Sequence, residues 1–426
     1  MLASLIAAFK LPDLRKRILF VFAMFAVFVL GLHIPVPGIN REAMAKLFEQ
    51  GGVLGMLDVF SGGALKKYTI FAMGIAPYIN ASIIMQLLTI AIPSLEALAK
   101  EGEHGRKKIS QYTRYLTGVL AAFQATGMNK MLMGMGILDV NPMTFIQIVV
   151  TLTAGTAFLM WVGEQITDRG IGNGVSMIIF AGIVASLPPQ LWNTLDAMRG
   201  GAYAPVRVAG MGLLFLATVV GIVIIQQAQR KIPIQHVKRV VGQKVYGGSS
   251  SFLPLRVNSA GVIPIIFAIS LQLLPQTLAT FFQGTTGFSL FIQQFAKWSN
   301  PGDNIFAALL YAGLIIFFTY FYTAVTFNVS DVADNLKKYG SFIPGIRPGK
   351  PTLEFLDRVM SRITLAGAVF LAVIALMQYW SPHITGIQTF YLVGGTSLLI
   401  VVGVALETMQ AIESHLLMRH YEGFIK

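Results

Sequence analysis

The feature that most constrains this chain is a series of ten long apolar stretches separated by charged connections. They run Ile18–Ile34, Tyr68–Ile92, Tyr112–Asn129, Met143–Val162, Val175–Trp192, Val208–Gln226, Val257–Phe281, Ile305–Phe327, Ile363–Trp380 and Phe390–Met409. A hydrocarbon core of about 30 Å is crossed by roughly 20 apolar residues of helix. Charged residues make up 12% of the chain, against about 25% in a soluble domain. That deficit excludes a water-exposed globular surface. The expected fold is an all-α polytopic membrane protein with ten transmembrane helices.

The net charge of +13 suggests nucleic acid until the charges are located. With the N-terminus inside, Lys and Arg number 24 on the inner side and 8 on the outer, accounting for all 32. This bias places both termini and the two most basic loops in the cytoplasm. Ten spans divide into two sets of five, residues 1–200 and 201–426, each with an odd number of crossings. Halves of this kind that share a fold face opposite ways, with a path at their interface near the midplane.

The stretch Gly51–Pro93 is unusual. A small apolar island, Val53–Phe60, is interrupted by Asp58 and bracketed by Gly51-Gly52 and Gly62-Gly63. Eight helical residues rise about 12 Å, too little to cross. The island reads either as a re-entrant half-helix leading into the span Tyr68–Ile92 or as an external loop with one interfacial turn. Re-entrant backbone survives at membrane depth only under protein cover or beside a watery cavity. The spans carry few charges, Glu407 being the clearest acidic residue on a helix. An ion-coupled secondary transporter with a broken helix, the alternative design, would place ionisable groups mid-membrane. The mid-span polar residues are uncharged instead: Asn80, Ser82 and Gln86 on the second span and Gln272 on the seventh. They serve either as bonds between helices or as the lining of a polar path.

Nothing points to catalysis. There are no cysteines, and HExxH and GxSxG motifs are absent. The six histidines form no metal-ligand pattern, and no cofactor is expected. Gly345–Lys350 lacks phosphate-loop spacing, and its flanking Pro344 and Pro351 supply no N–H to cradle phosphate. The information lies in two inner loops. The first, Gln227–Arg256, carries Lys238, Arg239 and Lys244, and Val240–Tyr246 reads as a short hairpin around Gly242. The second, Asn328–Arg362, carries Lys337, Lys338, Arg347 and Lys350, with an amphipathic helix from Thr352. Prolines at 344, 348 and 351 stiffen its turn and present Arg347 on an ordered tip. Loops of this length are functional or disordered; the rigid turn chemistry favours function, with membrane anchoring through anionic lipid the alternative.

Five segments in order closely resemble the bacterial SecY family, the central subunit of the Sec protein-conducting channel. They are KEGEHGRKKISQYTRY (Lys100–Tyr115), DRGIGNGVSMIIFAGIV (Asp168–Val184), LPLRVNSAGVIPIIF (Leu253–Phe267), ADNLKKYGSFIPGIRPGKPT (Ala333–Thr352) and GGTSLLIVVGVALET (Gly394–Thr408). The resemblance implies an hourglass pore between the halves in a bacterial plasma membrane. It opens sideways to lipid between the second and third spans and the seventh and eighth. It implies a plug at about Leu54–Leu65, including Met56, Leu57, Asp58, Val59, Phe60, Ser61, Gly62 and Gly63. It also implies an apolar constriction, which falls on Ile79, Ile83, Ile179, Ile183, Ile266 and Ile400. The pairs 79/83 and 179/183 are spaced i, i+4, on one helix face each. A β-branched collar has few rotamers and no polar atom to hold water, so a closed pore dewets. The implied partners are the small membrane subunits SecE and SecG, the SecA motor ATPase, the ribosome, and signal-sequence-bearing polypeptides. The basic loops are the implied docking surface. One departure stands at the first hairpin tip, Gln243-Lys244, where relatives often carry two basic residues.

Overall fold

The structure, a computed structural model, describes residues 9–39, 44, 58, 61–236, 239–241, 244–246, 250–281, 287–302, 304–387 and 395–422. The first helices are α1 (Pro12–Gly31), the single turn α2 (Ala64–Lys67), α3 (Ala76–Ala91) and α4 (Pro93–Lys100). Then come α5 (Glu103–Gly134), α6 (Pro142–Arg169), α7 (Gly174–Arg199) and α8 (Pro205–Gln227). Strands β1 (Gln229–His236), β2 (Arg239–Val241), β3 (Lys244–Tyr246) and β4 (Ser250–Arg256) come next. The chain continues through α9 (Ile263–Phe281), α10 (Gly287–Trp298), α11 (Ile305–Thr326), α12 (Val329–Lys338) and β5 (Ser341–Phe342). It closes with α13 (Lys350–Thr385) and α14 (Thr396–Glu422).

Among the described residues six helices, α6, α7, α8, α11, α13 and α14, are long and apolar enough to cross a membrane. The pair α3–α4, bent by 100° at Pro93, makes a seventh if it counts as one span. The bend is the work of proline, which cannot continue the ladder of α3 and pushes Ile92 into an extended conformation. Polar content separates α1 and α5 from that group: α1 starts in Asp13, Arg15, Lys16 and Arg17, and α5 in Glu103, Arg106, Lys107 and Lys108.

The second span expected from the sequence, Tyr68–Ile92, is helical only from Ala76. Its first part, residues 68–75, is irregular backbone buried in protein. Tyr68 sits at φ 46 and Gly74 at φ 55, which stop a helix, and Pro77 in the first turn of α3 starts one. The segment pairs polar groups with other parts of the chain, as buried backbone must. Val36 donates to the Tyr68 carbonyl at 3.0 Å and Ile70 to the Ile34 carbonyl at 3.0 Å. The Tyr68 hydroxyl donates to Asn129 on α5. The Phe71 ring stacks between Phe28 and Phe158 and lies over Gly31, where a Cβ would overlap it.

Packing falls into two sets. In one, α5 lies against α3 and α6, α6 against α7, and α1 against both α6 and α7. In the other, α11 lies against α9 and α13, and α8 against α13 and α14. The sets meet where α7 packs on α14 and where α9 packs on α3 and α5.

At one end of the bundle the two basic loops form a single body. Strand β1 pairs antiparallel with β4, from Gln229 opposite Arg256 to Gln235 opposite Ser250. β5 from the other loop joins the far edge of β1 at Gln235 and His236. The His236 ring lies between the Ser341 hydroxyl at 2.7 Å and the Ser251 hydroxyl at 3.2 Å. Beneath the sheet, Ile232, Leu255, Ile343, Leu356 and Met360 make a small core. Thr352, Leu356 and Met360 are its i, i+4, i+8 contribution from α13. The amphipathic helix expected from Thr352 is thus the first part of α13, which continues unbroken into the ninth expected span. The expected hairpin is present as β2 and β3, with Val241 opposite Lys244.

Candidate functional site

The six isoleucines singled out by the sequence come from four helices, α3, α7, α9 and α14. All six belong to one apolar cluster. Ile179, Ile183 and Ile400 are buried in it, and Ile79, Ile83 and Ile266 are half-buried against it. The cluster runs through both packing sets, from Val21 and Phe28 on α1 and Leu159 on α6 to Ile315 on α11 and Leu371 on α13.

Local chemistry fixes the helices that carry them. The Asn173 side chain caps α7, accepting from the Val175 and Ser176 N–H groups at 3.0 and 3.2 Å. The Gly174 N–H donates to Thr167 at 2.9 Å, and the Gly163 carbonyl lies where a Gly174 Cβ would stand. The segment DRGIGNG therefore sets how closely α7 returns along α6, and with it the height of Ile179 and Ile183.

The end of the expected plug reaches this cluster. Gly62 adopts φ +70, and a Cβ there would lie 3.0 Å from Gly182 Cα, 3.2 Å from the Gly182 carbonyl and 3.3 Å from Leu32 Cδ1. Gly182 precedes Ile183, so two glycines let this segment press against the α7 backbone beside the isoleucines. Ala64, on α2, is a member of the same cluster. The turn is knit by Asp58: its carboxylate accepts from the Lys66 N–H at 2.8 Å, and its carbonyl from the Gly63 N–H at 2.9 Å and Ser61 Oγ at 3.0 Å. Burial pushes the Asp58 carboxyl above the usual carboxylate range, opposed by hydrogen bonds from Lys66 and Leu65 and by the Lys66 charge. Of the named plug residues, Asp58, Ser61, Gly62 and Gly63 are described, and Met56, Leu57, Val59 and Phe60 lie outside the described residues.

The polar residues of the spans divide. Gln272 is buried and donates to the Ser299 carbonyl at 3.1 Å, so it ties α9 to the segment after α10. Gln86 is exposed and reaches Ser82 one turn away at 3.4 Å. Glu407 lies on α14 with its Oε1 3.7 Å from the Cβ position of Gly261, and Arg256 beside it donates to Gln410 at 3.0 Å.

On the sheet face, Lys337 and Lys338 are exposed on the last turn of α12, where cations complement the helix dipole. Arg347 is exposed on the turn between β5 and α13, and Lys350 is exposed as the first residue of α13. Gly345 at φ +81 and Gly349 at φ +101 shape that turn, and the Thr352 hydroxyl donates to the Arg347 carbonyl at 2.8 Å. Arg239 and Lys244 sit on β2 and β3, and Lys238 lies outside the described residues. Sequence reasoning missed the Gly62–Gly182 approach, the Asp58 cap and the α10 helix. Only α10 left a signal, in the spacing of Phe291, Phe295 and Trp298.

A helical membrane bundle with this arrangement has the fold of a protein-conducting channel. A solved structure described as "The structure of a protein conducting channel" superposes with a TM-score of 0.66, covering 94% of this chain and 92% of that one at 17% identity. Canine Sec61, in a ribosome-channel complex from the endoplasmic reticulum, superposes with a TM-score of 0.63 at 16% identity, with the same coverage of each chain. Relatives nearer in sequence are named protein translocase subunit SecY. That of Streptomyces scabiei is 46% identical over the whole of both chains. That of Escherichia coli K12 is 47% identical over 98% of this chain and 95% of its own. The SecY family model matches residues 69–409. The chain belongs to the SecY family, which sets aside the coupled-transporter reading.

Proposed function

We propose that the chain is the channel-forming subunit of a protein translocase in the bacterial plasma membrane. It passes unfolded secretory polypeptides across the membrane and releases apolar segments sideways into lipid. It is a conduit and not an enzyme. The observation that carries this reading is the membership of six isoleucines from four helices in the apolar core that joins both packing sets, with the Ser61–Gly63 turn close against α7 beside Ile183.

In this reading ten helices form two inverted halves, residues 1–200 and 201–426, and the isoleucines form the collar between them. The α9 contacts with α3 and α5 are the closed sideways exit. The sheet face, formed by the two most basic loops, is cytoplasmic together with both termini. Arg347, Lys350, Lys337 and Lys338, with the β2–β3 hairpin, dock the ribosome and the SecA motor. The canine relative in a ribosome-channel complex supports the ribosome as partner. The small subunits SecE and SecG and anionic lipids are further expected partners.

The test is cross-linking from photoreactive residues placed at Ile83 and Ile400 to a secretory chain stalled during export. Adducts at both positions are expected, since a chain in the collar touches both halves. Adducts at neither, with the same chain captured elsewhere on the protein, would refute the path.

A further inference from the structure

Helix α10 has no part in the path, the docking face or the α7–α14 seam. It has 12 residues, GFSLFIQQFAKW, too few to cross a membrane. Its Ser289 and Ala296 face inward and are buried. The opposite flank is aromatic: Phe291, Phe295 and Trp298, spaced i, i+4, i+7, are exposed at 67%, 47% and 47%. These rings stack in series, Phe291 on Phe295 at 6.4 Å and Phe295 on Trp298 at 6.5 Å. Lys297 and Gln294 are exposed beside that stripe.

The topology fixes the level of this stripe. α7 and α13 both start near the sheet face and end at the other end of the bundle, and α9 runs the same way before α10. Trp192 lies near the far end of α7 and Trp380 near the far end of α13, exposed at 65% and 46%. Three of the four tryptophans thus mark the end opposite the sheet. Exposed tryptophans gather where an aromatic ring meets lipid headgroups. α10 lies at that end, and its aromatic stripe continues that belt. A short helix with aromatic residues on one flank and a lysine on another has the composition of a segment lying in the interface plane.

We propose that α10 is an interfacial helix whose Phe291–Phe295–Trp298 stripe is seated in the bilayer at the headgroup–acyl boundary, opposite the β-sheet face. The buried Gln272–Ser299 bond at the middle of α9 and the packing of α10 on α9 then tie α9 to a fixed membrane depth. The lipid surface anchors one wall of the proposed sideways exit.

The chain has no cysteine, so single nitroxide labels can be placed without background. Phe291→Cys, Phe295→Cys and Lys297→Cys are labelled in the full chain purified into lipid nanodiscs, and collisions with oxygen and with a water-soluble nickel chelate are measured. Leu216→Cys on the exposed face of α8 and Arg347→Cys on the basic turn supply lipid and water standards. Oxygen should dominate at Phe291→Cys and Phe295→Cys, at a depth of about 5–10 Å, while nickel dominates at Lys297→Cys. Nickel-dominated relaxation at both phenylalanine positions would place the helix in water and overturn the proposal. Weak collisions with both reagents there would mean protein covers the stripe, and would overturn it equally.

Discussion

Gly62→Ala tests the arrangement most directly, because the structure separates its two effects. At φ +70 an alanine costs about 1–2 kcal/mol of backbone strain. Its methyl would also stand 3.0 Å from Gly182 Cα and 3.2 Å from the Gly182 carbonyl. Those atoms belong to a capped helix packed on α6 and α14, so they cannot give way as a flexible side chain would. The Ser61–Gly63 turn must move instead. The total penalty on the seated position is about 1–3 kcal/mol, roughly a five- to 150-fold shift in an equilibrium between seated and displaced forms.

The assay is planar-bilayer ion conductance of the purified chain with whatever subunits accompany it. Gly62→Ala should raise resting conductance by about fivefold or more. Gly201→Ala is the matched control: φ is +76 there, and a Cβ would meet nothing within 4 Å. It carries similar strain and no clash, and should lower stability without leak. A folded Gly62→Ala protein as tight as wild type would refute the argument, as would an equal leak from Gly201→Ala.

The same geometry sets two further outcomes. Ile183→Asn and Ile400→Asn each bury an amide that wants a partner, at about 1–3 kcal/mol. Resting conductance should rise, and export substrates with defective signal sequences should be accepted; Leu216→Asn, on the exposed face of α8, should do neither. Unchanged conductance in folded proteins would remove these residues from the seal. Arg347→Glu reverses a planar charge on a turn fixed by the Thr352 hydrogen bond, so abundance should stay near normal while motor-driven export in vesicles falls. Wild-type transport by the purified mutant would detach that turn from docking.

Features set by helical periodicity are legible in the sequence, and features set by contacts between distant residues are not. The i, i+4 pairs 79/83 and 179/183 are readable because one helix places both side chains on one face. Ile266 and Ile400 carry no such spacing, and only the family resemblance joins them to the others. The β1–β4 pairing is hidden by Pro233 and Pro254, which argue against a central strand. The structure accommodates Pro233 because β5 reaches β1 only at Gln235 and His236, leaving that edge open beside the proline. The irregular segment 68–75 reads as helix because its residues are apolar. Left-handed backbone at Tyr68 and Gly74 stops the helix. The partners that make this tolerable are distant in sequence: Asn129 for the tyrosine hydroxyl and Gly31 beneath Phe71.

The two irregular segments are attached in opposite ways, and the difference bears on which of them can move. Residues 68–75 are bound outward, to Ile34, Val36 and Asn129. Pulling them away would leave buried donors and acceptors unsatisfied at about 1–3 kcal/mol each. The Asp58–Lys66 turn is bound inward. Among the described residues, Ser61 donates to the Asp58 carbonyl, Leu65 to Ser61 Oγ, Lys66 to the Asp58 carboxylate and Gly63 to the Asp58 carbonyl. On other elements, a Cβ added at Gly62 would meet Gly182 and Leu32, and one added at Gly74 would meet Ser61. The turn is joined to residues 68–75 through the Ala64 and Leu65 carbonyls, which accept from the Thr69 and Tyr68 N–H groups, so it can leave α7 by hinging there with the bonds around Asp58 kept. The glycines that let it sit close also leave no side chain to interlock. In the proposed reading this turn is a seal that must close tightly and still release, and the same few residues supply both properties.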